Sequence, residues 1–441
     1  MNIGFVTCVH PLYDLPAVHR HQTEAIARLR AAGANVIAPA VARDPKDIPG
    51  IVDELKKGNI NLLLFFFCTW VAEEITLSIA QELEKVPLLL WALPYFDLSI
   101  PMPSPMTGMT TTGCNLRRIG RSFLHQVSAV TPEGIQSVVR VARNASVLGR
   151  LRQARFGVFG SACPGMLDTR CDDLLLQQKL GLTIMRFDLQ TLLQARQASS
   201  QEEAMQMALA LKKRTGEGAV TLEILADQYR LYLGMSSLLQ EHRLDGFSVR
   251  CWPELRDQHK TTICLTMAEM AEAGVATACE ADLTALVTCY ILSALTGQPS
   301  CTLEITAYLE QQNALQLAHC GLAAFSLAEN PKHAKIQSHM RTGTGAMVEF
   351  GFKPGRVTLA KLLRPFDDAL KMFVARGEVI PTPPETRGSV ATVRVEPSAA
   401  QFLQTMLQNA VEHHLVIAYG DCTEDLGQAA QLAGIECIRP A

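Results

Sequence analysis

Six consecutive apolar residues, Leu62 to Phe67, are followed a few positions later by the acidic pair Glu73-Glu74. The greasy stretch at 62–72 is too short to cross a bilayer, which takes about 20 apolar residues in a helix. A run that is apolar at every position suits a strand buried on both faces, as in a parallel sheet covered by helices. Its surroundings repeat the theme. Short apolar strands are expected at 3–8, 36–39, 61–67 and 86–92, with amphipathic helices at 19–32, 51–57 and 73–84. That alternation argues for a parallel, doubly wound sheet of the Rossmann-like kind. Ligands of such sheets collect beyond the strand C-termini. Here those points lie near His10, Thr69-Trp70 and Pro94-Tyr95.

A second α/β unit is expected from Arg155-Phe156-Gly157-Val158-Phe159-Gly160, with later strands at 182–187, 246–251 and 303–307. Ser200 with Glu203 three residues on predicts a capping box at a helix start. From about Met340 the texture changes to strand-like runs punctuated by turns. Runs at 347–352 and 357–362 flank Lys353-Pro354-Gly355-Arg356, which reads as a hairpin turn, and Pro381, Pro383 and Pro384 separate two further runs. The expected architecture is therefore α/β: two doubly wound parallel-sheet domains, 1–150 and 151–335, plus a C-terminal β-rich domain, 336–441.

The chain of 441 residues carries a net charge of −3, which offers no basic surface for nucleic acid and none for an anionic membrane. Its 13 cysteines contain no Cys-x-x-Cys pair, and several sit inside apolar runs. That pattern predicts free buried thiols in a reducing cytoplasm rather than a disulfide framework. The N-terminus lacks the basic region of a signal peptide and runs straight into a strand.

The chemistry lies in three places. Glu280, in Ala278-Cys279-Glu280-Ala281-Asp282, precedes an apolar helix that stops at Thr296-Gly297. It reads either as a functional acid or, with Asp282, as a helix cap with first-turn charges. Glu304 stands between Leu303 and Ile305 in a strand-like run. A buried carboxylate there costs several kcal/mol unless it is paired or metal-bound. His413-His414 opens a third apolar run. Two acids and an imidazole suit a divalent cation such as Mn²⁺ and can also move protons beside a carbonyl. Neighbours on a strand point to opposite faces, so only one of His413 and His414 is expected to face a metal. His319 reads as either a core histidine or a site residue. Trp252 and Glu254, in Cys251-Trp252-Pro253-Glu254, read either as substrate contacts or as a core aromatic with a capping acid. The glycine- and hydroxyl-rich stretch 105–113 is no Walker loop. Gly157 to Gly160 completes no dinucleotide fingerprint, and no Gly-x-Ser-x-Gly elbow occurs. No nucleotide cofactor is expected.

These residues, in their order and spacing, resemble the L-fucose/L-arabinose isomerase family. Glu280 and Glu304, 24 positions apart across a helix, look like that family's catalytic acids. His319 in His-Cys-Gly is similar to the histidine that follows the second acid. His413-His414 before a strand looks like its C-terminal metal-ligand histidine, and Lys353 to Leu359 like its C-terminal β turn. The resemblance implies an aldose–ketose isomerase working through a cis-enediol. Glu280 and Glu304 would be acid/base groups and, with His413 or His414, ligands of Mn²⁺ or another divalent cation. His319, Trp252, Glu254 and His10 would contact the sugar. It also implies a homo-oligomer whose active sites borrow residues from a neighbour. Two alternatives stand beside it. One is an isomerase of an anionic modified sugar such as sulfoquinovose, with Arg20, Arg117 or Arg118 serving the anion. The other is a sugar-binding or sensor protein without turnover.

Overall fold

The structure is a computed structural model that describes residues 1–13, 16–39, 41–94, 104–215, 218–364, 369–382 and 387–440. Tyr95, Pro383 and Pro384 lie outside the described residues. The chain divides into two compact units, one of residues 1–150 with 425–435, the other of residues 151–424 with 436–441.

Among the described residues the first unit holds one five-stranded parallel sheet. Its strands are β1 (Asn2–Cys8), β2 (Asn35–Ile37), β3 (Leu62–Phe67), β4 (Leu88–Ala92) and β5 (Leu124–Val127), in the order β2-β1-β3-β4-β5. The central strand β3 explains the six-residue apolar run. Its even-numbered residues Leu62, Leu64 and Phe66 pack into one core, and Leu63, Phe65 and Phe67 pack into another on the opposite face. Period-2 alternation sends successive side chains to two helix-covered faces, so every position must be apolar.

The second unit holds two sheets among the described residues. The first is parallel: β6 (Arg155–Phe159), β7 (Thr183–Phe187), β8 (Gly246–Val249) and β9 (Ala276–Cys279), in the order β7-β6-β8-β9. The second is mixed and nine-stranded: β10 (Cys301–Leu309), β11 (Ala314–His319), β12 (Lys335–Gln337), β13 (Met347–Gly351), β14 (Gly355–Leu363), β15 (Lys371–Ile380), β16 (Ser389–Val395), β17 (His414–Tyr419) and β18 (Glu436–Ile438). Its order is β12-β13-β16-β11-β10-β17-β14-β15-β18.

Two expectations change here. The run at 303–307 is not a strand of the parallel sheet. It belongs to β10, antiparallel to both β11 and β17. Its expected place in the parallel sheet is taken by β9, whose four residues Ala-Thr-Ala-Cys carry too little apolar pattern to be seen in the sequence. The runs flanking Lys353-Pro354-Gly355-Arg356 are not a hairpin either. β13 pairs with β12 and β16, whereas β14 pairs with β15 and β17. Turn residues report that the chain changes direction, but the pairing partner is chosen by long-range packing. Half of the expected capping box is seen: the Ser200 side chain accepts from the Glu203 backbone N–H at 3.2 Å, with no return bond from the Glu203 side chain among the described residues.

Candidate metal centre

The site is assembled from the ends of β9 and β11, the interior of β10 and the start of β17. β9 ends at Cys279, and the chain turns sharply through two left-handed residues, Glu280 (φ 61°) and Ala281 (φ 57°). Non-glycine residues seldom adopt that conformation, and when they do it is often at functional sites. The turn separates two acids of different fate. Asp282 caps the helix Leu283–Thr296, accepting from the Ala285 backbone N–H at 2.8 Å. Glu280 points away from the cap into the cluster.

Glu304 lies on β10 directly opposite His414 of β17 and opposite Ala318 of β11. One ligand atom each from Glu280, Glu304, His413 and His414 falls within a mutual 4.8 Å. His414 Nε2 lies 3.5 Å from Glu280 Oε2 and 3.9 Å from Glu304 Oε1, and His413 Nε2 lies 3.6 Å from Glu280 Oε2. The expected divergence of the two histidines does not occur. Strand β17 begins at His414, so strand alternation does not govern His413, and the two rings stand 4.0 Å apart.

Each imidazole is held from behind. His414 Nδ1 is 2.9 Å from Asp282 Oδ2, and His413 Nδ1 is 2.6 Å from Asp168 Oδ2. A carboxylate on Nδ1 fixes the proton there and turns the Nε2 lone pair outward, the arrangement typical of metal-binding histidines. Both Nε2 atoms and Glu280 Oε2 are buried with no hydrogen-bond partner among the described residues. Buried polar atoms left unpaired are costly, and a divalent cation accepting their lone pairs removes that cost. The donor set fits such an ion.

His319 differs. Its Nδ1 accepts from the Cys320 backbone N–H at 2.8 Å, so the neutral ring carries its proton on Nε2, 3.7 Å from Glu304 Oε1. Burial, reinforced by nearby His414, lowers its pKa to about 3 and keeps it neutral. Burial works against ionisation of Glu280, but the neighbouring His413, His319 and His414 outweigh it and hold the carboxyl below its usual range. Burial also opposes protonation of His413, yet Glu280 and Asp168 raise its pKa to about 9, so in the metal-free protein its Nε2 carries a proton that a bound cation would displace.

Behind His414 sits a closed ion cluster. Lys361, on β14 and fully buried, reaches Asp282 Oδ2 at 2.5 Å and Glu412 Oε2 at 2.9 Å. Thr284 Oγ1 donates within the same cluster, 2.9 Å from each of Asp282 Oδ1 and Glu412 Oε2. Burial disfavours the Asp282 charge, but Lys361 and His414 hold its carboxyl far below the ordinary range. Glu412 moves upward because burial outweighs Lys361.

Residues 317–439 match the family model described as L-fucose isomerase, C-terminal domain. A sulfoquinovose isomerase from Priestia aryabhattai is 24% identical over 443 residues, covering 99% of this chain and 98% of that protein. Another from Clostridium sp. (strain MSTE9) is 24% identical over 392 residues, covering 86% and 88%. These similarities make the chain an aldose–ketose isomerase that resembles the L-fucose isomerase family.

The sugar contacts expected for this isomerase are placed as follows. Trp252 Nε1 lies 3.3 Å from Glu280 Oε1. Glu254 is ion-paired with Arg250. His10 lies in the first unit, its ring 4.8 Å from that of Trp70 and its backbone N–H donating to Thr69 Oγ1 at 3.1 Å. Asp168 and Lys361 are site-supporting residues that sequence reasoning missed. Lys361 left a signal, a lysine inside the apolar run Leu359-Ala360-Lys361-Leu362-Leu363. Asp168, in an irregular loop, left none.

Proposed function

We propose that this isomerase is divalent-metal-dependent and interconverts the sulfonated aldose sulfoquinovose and its ketose through a cis-enediol. The observation that carries the metal-dependent part is the convergence of Glu280, Glu304, His413 and His414 on one point, where Glu280 Oε2 and both Nε2 atoms are buried with no hydrogen-bond partner among the described residues. The substrate is supported by relatives named sulfoquinovose isomerase that align with almost the whole chain.

Mn²⁺ suits two carboxylates and two imidazoles, and when bound it would polarise the substrate carbonyl and the adjacent hydroxyl. Glu304 is the half-exposed acid of the pair and acts as the base on carbon: it takes the proton from C2 of the aldose and returns it to C1. Glu280, held by the Trp252 N–H, carries the hydroxyl proton from O2 to O1. The net change moves one hydrogen from C2 to C1 and one proton between oxygens, so no redox cofactor is required. His319, neutral with its proton on Nε2, donates to a substrate oxygen beside Glu304. The same reading carries a homo-oligomer in which a neighbour supplies residues such as His10. It also carries a cytoplasmic location, which the lack of a disulfide among the described residues supports. Among the described residues no helix is long and apolar enough to cross a membrane.

The test is proton NMR of sulfoquinovose with Mn²⁺-loaded protein in D₂O. Ketose should form with deuterium entering C1, and chelation should stop it. Turnover that survives exhaustive chelation would sink the metal-dependent reading. Turnover of neutral aldoses alone would sink the sulfosugar.

A further inference from the structure

Two loops flank the carboxylate pair, and together they carry more positive charge than the metal site explains. The first, 252–260, begins at Trp252, whose indole N–H lies 3.3 Å from Glu280 Oε1. Arg256 stacks on that indole with its Cζ 5.2 Å from the ring centroid. The second loop, 339–345, is a tight turn. His339 N–H donates to Thr344 O at 3.0 Å, and Gly343 N–H donates to His339 O at 2.8 Å.

The second loop sits beside the catalytic histidine. A Cβ placed on Gly388 would lie 3.0 Å from Met340 Cε and 2.4 Å from His319 O, so Met340 and His319 share that one small space. His319 is the residue whose Nε2 faces Glu304. The two loops are also tied together, Thr262 Oγ1 donating to Ala346 O at 2.9 Å and accepting from Ala346 N–H at 3.2 Å.

Their charges are Arg256, Lys260 and Arg341, with His339 between them, against the acids Glu254 and Asp257, of which Glu254 is already paired with Arg250 outside the loops. Arg256 is engaged by Asp257 through two contacts of 2.6 and 3.0 Å. Arg341 is exposed and makes no ion pair among the described residues. His339 is buried, and its Nδ1 lies 3.3 Å from the Arg341 backbone N–H, which donates to it. Burial lowers the His339 pKa first, and the nearby Arg256 and Arg341 lower it further, so the ring is a neutral N–H donor with guanidinium groups close by.

We propose that loops 252–260 and 339–345 form the subsite for the anionic group of the substrate, with Arg341 as its principal charge, Arg256 as a second and His339 as a neutral donor. The proposal rests on the aldose–ketose site argued above, because it places the anion at the sugar end remote from Glu280 and Glu304. A neutral sugar has no use for an unpaired guanidinium at that position. A sulfonate or a phosphate monoester does, since either accepts two parallel N–H bonds from one guanidinium.

The experiment uses Mn²⁺-loaded wild type, Arg341→Ala and Arg341→Lys, with three substrates: sulfoquinovose, an aldohexose 6-phosphate and a neutral 6-deoxyaldohexose. Arg341 is exposed, so folding should not be at stake. A charged hydrogen bond lost at this position should lower the kcat/KM ratio of sulfoquinovose to the neutral sugar about 10- to 100-fold, mainly through KM, with Lys in between. Calorimetric binding of sulfoquinovose to metal-free protein should show a loss of the same order. An equal loss on charged and neutral sugars overturns the subsite, as does no loss. If wild type turns over sulfoquinovose and Arg341→Ala leaves the ratio unchanged, the subsite falls and the sulfosugar reading stands. If wild type turns over only the 6-phosphate, with the same Arg341 dependence, the subsite stands and the sulfosugar reading falls.

Discussion

The candidate centre has two walls of unlike construction. The inner wall is His414, Asp282 and Lys361, all buried, with the nearly buried Glu412, closed by short contacts from 2.5 to 2.9 Å. The outer wall is Glu304, His413 and Asp168, each with about a third of its side chain exposed. Both walls turn an imidazole Nε2 toward Glu280 by placing a carboxylate on Nδ1. The inner wall does so with charges that cannot move without leaving a buried ion uncompensated. The outer wall does so with groups that water reaches. The difference suggests a division of labour, in which the inner wall sets position and the outer wall exchanges protons and admits substrate.

The largest expected effect falls on the outer wall. Glu304→Gln should lower turnover of sulfoquinovose by about 10²- to 10⁴-fold, the usual worth of a positioned base. Because the side chain is part-exposed, urea denaturation should show little change in stability. A folded Glu304→Gln variant with wild-type kcat would remove the outer wall from the chemistry.

Next comes the inner wall. Lys361→Met leaves Asp282 and Glu412 buried together without their cation. Breaking a buried ion pair by removing one partner costs about 3–5 kcal/mol, so urea or thermal denaturation should show a loss of that order. Stability equal to wild type would mean the wall is not closed as described.

Smaller effects separate the two orienting carboxylates. Asp168→Asn should weaken Mn²⁺ binding by about tenfold, the low end for an outer partner of a metal-bound histidine. Asp282→Asn should weaken it more and should also destabilise the fold. Equal metal affinity in wild type and Asp168→Asn, measured by calorimetry, would show that His413 is no ligand.

The smallest effect is a pH dependence of the metal-free protein. Burial opposes the His413 proton, but Glu280 and Asp168 raise its pKa to about 9, above the value near 6.5 expected when unfolded. A raised folded value contributes stability that is fully present below about 6.5 and is lost as pH rises through about 9. Metal-free protein should therefore lose some stability between those limits, and His413→Ala should flatten the curve. A wild-type curve already flat over that window would contradict the pairing.

The parallel sheet of the first unit was legible because β3 must be apolar at every position to be buried on both faces. The helix between the two acids was legible through Asp282 at its start and Gly297 at its end, where a left-handed φ of 69° is required. The acids themselves were legible as charges at the borders of apolar runs. The sequence left open which His turned toward the two acids, and strand alternation predicted only one where both do, because β17 begins one residue later than the pair does.

Local rules determined what could be read from neighbours along the chain: strand burial, helix caps and the residue types able to bind a cation. Tertiary structure alone decided which residues distant along the chain come together. It set Asp168 against His413 and Lys361 between Asp282 and Glu412. It moved 303–307 from the parallel sheet into the mixed one, where register puts Glu304 opposite His414. The physical reason is that hydrogen-bond partners and strand register across sheets are fixed by packing between distant segments, and neither leaves a periodicity in the residues nearby.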